Sequence, residues 1–188
     1  MIYTNELCGL PLQTGDLICT TDGKEDILPG ELWHAVGKLV PGPVDHVIIY
    51  VGPGGRCVEA GAKLKVITFE FQGHEWHPET LVEQRGPLID TFYGIAYPLA
   101  GVDPETTASI RESVAAYCLA QAAAGKPYNL HFHDSDTEAA FYCSQLAYKA
   151  YLPHGINLNT GAGVPAIPGT TSIIFPQEIW AGCEHRKG

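Results

Sequence analysis

The chain has 188 residues, a length that predicts one domain spanning 1–188, and 45% of them are hydrophobic, enough to build a real core. Its formal charge of −10 argues against a nucleic-acid partner, which needs basic patches, and against an acidic membrane surface. No run is long and apolar enough to span a bilayer. Met1-Ile2-Tyr3-Thr4-Asn5-Glu6-Leu7 lacks the basic and apolar regions of a signal peptide, so a cytoplasmic location is expected.

In chain order, Leu12-Gln13-Thr14-Gly15-Asp16-Leu17-Ile18-Cys19-Thr20 reads as a turn and a short strand. Residues 32–40 place apolar side chains at Leu32, Trp33, Val36, Leu39 and Val40, the spacing of an amphipathic helix. Pro41-Gly42-Pro43 ends it. Residues 44–51 are rich in β-branched side chains. They lead through Gly52-Pro53-Gly54-Gly55 into Arg56-Cys57-Val58-Glu59-Ala60, which predicts a hairpin. A third strand is expected near residues 63–71 and a loop over 73–79. More strand follows over 88–99, with Tyr93, Ile95 and Tyr97 on one face. Asp103-Pro104-Glu105 carries an N-cap and a first-turn proline, opening a helix that runs to about Ala124. Gly125 and Pro127 stop it. Residues 153–172 read as an ordered loop, 173–176 as a strand and 177–180 as a helical turn. Strands and helices are partly segregated, which indicates an α+β fold.

The six cysteines, Cys8, Cys19, Cys57, Cys118, Cys143 and Cys183, are irregularly spaced and form no C-x-x-C. Most are expected to be reduced and buried. Cys143 differs because it opens Cys143-Ser144-Gln145-Leu146-Ala147-Tyr148-Lys149-Ala150-Tyr151, whose apolar residues recur at helical spacing. A thiol at a helix N-terminus sits in the positive end of the dipole, which favours the nucleophilic thiolate. A base is available upstream, at His46 in the strand before the glycine-rich turn.

Three blocks together resemble the NlpC-type papain-like cysteine peptidases. Gly125-Lys126-Pro127-Tyr128 with Phe141-Tyr142-Cys143-Ser144-Gln145 is similar to that family's nucleophile block. Leu12-Gln13-Thr14-Gly15-Asp16-Leu17-Ile18 is similar to its L-Q-P-G-D-L block. His46-Val47-Ile48-Ile49-Tyr50-Val51-Gly52 with Val58-Glu59-Ala60 is similar to its H-V-G-I-Y block. Here the cysteine block comes last, as in the circularly permuted, YiiX-like branch. The resemblance implies a permuted papain-like fold, with an antiparallel sheet packed on the helix that carries Cys143. It implies Cys143 as nucleophile, His46 as general base and Glu59 as the residue that orients the imidazole. Tyr128 matches a tyrosine lining the site. Tyr142 and Gln145 depart from the ordinary branch's Asp and Gly, and Asn129-Leu130-His131 replaces its Trp-Gly-Gly.

The expected activity is therefore that of a cysteine hydrolase cleaving an amide or peptide bond through a thioester acyl-enzyme. The partner is a small peptide, an amino-acid amide or an acyl compound, with Tyr128, Tyr142 and His131 as substrate-binding candidates. A lipid or ester acyl hydrolase, an acyltransferase or a non-catalytic binding module is the alternative. The Cys143 backbone N–H is the expected oxyanion donor, joined by the Tyr128 hydroxyl. The hairpin register decides whether His46 and Glu59 share a face, since a one-residue slip moves a side chain to the other side. Asp45 is a lower-ranked orienter. No cofactor or metal is expected: His131-Phe132-His133-Asp134 and His74-Glu75-Trp76-His77 lack an established ligand pattern, and no G-K-[ST] follows the glycine-rich turn.

Overall fold

A computed structural model of the protein describes residues 1–22 and 40–188. The helix expected over residues 32–40 lies outside this range except for Val40. A small hairpin pairs β1 (Thr4–Leu7) with β2 (Leu10–Gln13). The strands β3 (Leu17–Asp22), β4 (His46–Tyr50), β5 (Gly55–Ala60), β6 (Val66–Phe71), β7 (Asp90–Tyr97) and β8 (Glu184–Lys187) form one antiparallel sheet, ordered β6-β5-β4-β3-β7-β8. The helices are α1 (Val82–Arg85), α2 (Pro104–Ala123), α3 (Cys143–Tyr151) and α4 (Pro176–Gly182). The fold is α+β. Among the described residues no helix is long and apolar enough to cross a membrane.

Both faces of the sheet are buried at β4, which explains why Val47, Ile48 and Ile49 run apolar in succession rather than alternating. On one face Leu17, Cys19, Val47, Ile49, Val58 and Ala60 pack against α2, α3 and α4 through Val114, Leu146, Ala147 and Ile179. On the other, Ile18, Ile48, Tyr50 and Cys57 pack with Leu7, Leu12, Phe69 and Trp76. The hairpin of residues 1–13 covers this second face. It went unforeseen because Leu12-Gln13 was expected to begin a turn.

Helix α2 begins as its sequence requires: the Asp103 carboxylate accepts from the Thr106 N–H at 3.0 Å. Two expectations fail, and one strand was not foreseen. Tyr93 does not share a face with Ile95 and Tyr97. The β3–β7 register shifts, so Cys19 pairs with Gly94 and Thr20 with Phe92, and Tyr93 becomes the extra residue of a bulge. Its ring meets Trp180 on the helical side. Residues 173–175 are not a strand. Their polar groups are taken by side chains instead, with Ile174 N–H donating to the Tyr142 hydroxyl at 3.0 Å and Ser144 Oγ donating to Ile174 O at 2.7 Å. The last strand, β8, is highly polar (Glu184-His185-Arg186-Lys187) and joins the sheet edge through main-chain pairing with β7, a pattern that no apolar alternation announces.

Strands β5 and β6 are in close contact at Gly55, where a Cβ would collide with the Phe71 carbonyl oxygen. That oxygen is backbone and cannot swing away. Gly55→Ala is expected to destabilise the protein by about 2 kcal/mol or more, read as a lowered midpoint in urea.

Candidate active site

The β4–β5 ladder pairs only Ile49 with Val58 and Tyr50 with Cys57. Upstream of Ile49 the two strands part, and the start of α3 packs against both. Cys143 is the first residue of α3, so its N–H has no acceptor within the helix. His46 and the Val47 backbone N–H lie close enough to the Cys143 sulfur to act on its charge.

Alternation along β4 puts His46 on the face of Ile48 and Tyr50, and alternation along β5 puts Glu59 on the face of Cys57. The register therefore brings the two side chains together, the point that spacing left undecided. His46 Nε2 lies 2.8 Å from Glu59 Oε2. That leaves Nδ1 as the nitrogen for Cys143. Asp45, the lower-ranked orienter, does not take this place.

The electrostatics favour a charge pair. Burial acts to raise the Cys143 pKa, but the charge and hydrogen bond of His46, the Val47 N–H and the Ser144 hydroxyl outweigh it, and the thiol is held below its ordinary value. Burial acts against charge on His46, but Cys143 and Glu59 outweigh it and raise its pKa. Burial likewise opposes ionisation of Glu59, yet Arg85 and His46 bring its pKa down to about 2. At the other thiols burial dominates. Burial pushes Cys118 up to about 12 and Cys183 up to about 11.

Arg85, Asp90 and Thr20 complete the polar cluster and were not foreseen. Arg85 is fully buried. Its Nε donates to Glu59 Oε1 at 3.0 Å and its Nη2 to Glu59 Oε2 at 2.8 Å. The same guanidinium donates to Asp90 through Nη1 at 2.7 Å and Nη2 at 3.0 Å. Thr20 Oγ1 donates to Asp90 Oδ2 at 2.6 Å. The residues lie on β3, β5, α1 and β7, and no local spacing links them. The one available signal was an arginine followed closely by Gly86 and a strand-opening aspartate.

Tyr128 is half-buried near Cys143, and burial, then the charge of Cys143, hold its hydroxyl well above the ordinary tyrosine range, so it stays a donor. Tyr142, a substrate-binding candidate, is 3% exposed. Its hydroxyl is taken by Phe132 O at 3.3 Å and Ile174 N, so it builds the wall of the site. His131 is exposed on the loop before α3. Its N–H donates to Asn129 Oδ1 and its carbonyl accepts from the Asp134 N–H. Gln145 ties this loop to the nucleophile helix: its Oε1 accepts from Asn129 Nδ2 at 3.0 Å and its Nε2 donates to Thr137 O at 3.0 Å.

His74 contacts the Glu6 carbonyl and His77 pairs with Glu79, while Trp76 between them is buried. Among the described residues no group of three His, Cys, Asp or Glu side chains is placed to hold a metal ion. The chain matches no protein-family model, no curated protein and no solved structure.

Proposed function

We propose that this protein is a thiol hydrolase of the circularly permuted, NlpC-type papain-like kind. Cys143 is the nucleophile, His46 the general acid and base, and Glu59 the residue that orients the imidazole. The observation that carries this reading is a buried His46–Glu59 hydrogen bond next to a thiol at a helix N-terminus, with the imidazole acting on the charge of that thiol. A structural cysteine does not need a base, and a base without a task does not need a buried carboxylate.

The chemistry follows from the positions. The thiolate attacks the carbonyl carbon of an amide, ester or thioester, and the carbonyl electrons move onto oxygen. We assign the Cys143 N–H and the Tyr128 hydroxyl as donors to that oxyanion, each worth about 3–4 kcal/mol in the transition state. When the intermediate collapses, the imidazolium gives its proton to the leaving amine or alcohol and a thioester on Cys143 remains. Water then attacks the thioester while His46 takes its proton. The acid departs and the Cys143–His46 pair is restored. Glu59 holds one tautomer throughout and supports the imidazolium. A small peptide, amino-acid amide or acyl compound is the substrate class.

The test uses p-nitrophenyl acetate as probe. Intact-mass spectrometry is expected to find one acetyl group on Cys143 and a burst of p-nitrophenol, both lost in Cys143→Ala. Acetylation spread over surface nucleophiles, with hydrolysis unchanged in Cys143→Ala, would overturn the assignment. A panel of amino-acid anilides then ranks amides against esters.

A further inference from the structure

We infer that Arg85 is a positioning residue for the site: its fork holds Glu59 in place and ionised, so that Glu59 can grip His46. This rests on the hydrolase reading but concerns residues that lie one step behind it.

The argument starts from a cost. Glu59 has no exposed surface, and an isolated carboxylate in such a place takes up a proton rather than stay charged. A protonated Glu59 cannot support an imidazolium. Arg85 prevents this with two parallel N–H donors on the two oxygens of Glu59. Oε2 is shared, accepting from Arg85 Nη2 and from His46 Nε2, both at 2.8 Å. The fork therefore also sets where Oε2 stands, and with it the plane of the imidazole.

Arg85 is itself held from every side. Asp90 grips the far edge of the guanidinium, and the Thr20 hydroxyl fixes Asp90. Phe69 and Trp76 lie over the guanidinium at 4.9 Å and 5.0 Å, which suits a flat, weakly hydrated cation. The Trp76 indole N–H donates to the Asp90 carbonyl at 3.1 Å. Among the described residues, the charged and titratable groups facing this cluster are Glu59 from β5, Asp90 from β7, His46 from β4 with Cys143 beyond it, and the Cys57 thiol, which burial keeps neutral. Two carboxylates on one guanidinium leave one negative charge in excess beside His46, the sign an imidazolium needs. A lysine could supply the charge but not the fork.

The molecule provides its own control. Arg111 is also buried and paired, with Nη1 donating to Asp16 Oδ1 at 2.8 Å, but it lies on the helical side in α2, away from Glu59. Its loss costs stability without touching the imidazole.

The experiment measures the pH profile of Cys143 alkylation by iodoacetamide. It also follows the His46 ring nitrogens by NMR titration. Both are run on the wild type, Arg85→Lys, Thr20→Val and Arg111→Met, with folding checked by circular dichroism. In Arg85→Lys the acid limb of alkylation is expected to move up by at least about one pH unit, a tenfold loss of rate on that limb. The His46 titration should move the opposite way, downward, as the imidazolium loses its support. Thr20→Val should give a smaller shift of the same sign, and Arg111→Met none. Folded Arg85→Lys and Thr20→Val proteins that keep both wild-type profiles would overturn the inference and leave the hydrolase reading standing. A shift of similar size in Arg111→Met would also overturn it, since general loosening then explains the effect. If wild-type Cys143 shows no enhanced reactivity while His46 still responds to Arg85→Lys, the hydrolase reading fails and the coupling survives.

Discussion

His46→Ala is expected to slow alkylation of Cys143 at pH 5 by at least about tenfold. At that pH a free thiol with a pKa of about 8.5 is roughly 0.03% thiolate. In the wild type His46 holds Cys143 below its ordinary value and is itself held in the charged form. Removing the imidazole leaves the largest remaining influence, burial, which pushes the thiol up. The thiolate fraction then falls about tenfold for each pH unit by which the thiol is raised. An acidic thiolate is a weaker nucleophile, which offsets about half of that loss on a logarithmic scale. Rates at each cysteine, read by mass spectrometry, supply the reference: Cys8 and Cys183 are half-buried thiols raised by burial. A Cys143 that reacts at the same rate with and without His46 would remove the ion pair from the mechanism and leave a binding module as the better reading.

The second large effect is on stability in acid. Glu59 has an ordinary carboxylate pKa of 4.5 when unfolded and about 2 in the folded protein. Its folded value is depressed, so it contributes stability fully present above about pH 4.5 and lost as the pH falls through about 2. The size is about 3 kcal/mol, from the difference between the two values. Asp16 and Glu178 work in the other direction, because burial raises both in the folded state. The wild-type curve therefore mixes signs, and the useful measurement is a difference. Urea unfolding at a series of pH values is expected to show that Glu59→Gln is less stable at neutral pH. The gap to wild type should narrow steadily below pH 4.5. A gap that stays constant down to pH 2 would mean that Glu59 is already protonated in the folded protein.

Much of the local structure was legible. Asp103-Pro104 and Gly125 bracket α2 because a side-chain cap, a proline without an N–H and a flexible stop are chemical events at single residues. The start of α3 at Cys143 was legible for a similar reason: helical spacing begins there and the preceding Tyr142 is extended. The hairpin around Gly52-Pro53-Gly54 was legible from turn chemistry between β-branched runs. The elements that escaped have no periodic apolar signature. The Glu184–Lys187 edge strand pairs through its backbone, and the Tyr93 bulge comes from a register shift against β3 that β7 alone does not encode.

The sequence by itself determined which groups could react: a thiol at a helix start, a histidine in a strand and a glutamate across a turn. Those choices are local, so the chain states them directly. Only the tertiary structure decided that the three meet and that the glutamate stays charged. Glu59 and Arg85 are 26 residues apart and Thr20 and Asp90 are 70 apart. A buried charge accepts whichever partner the fold brings within hydrogen-bond reach. Proximity of that kind is a property of packed strands and loops, and no spacing along the chain records it.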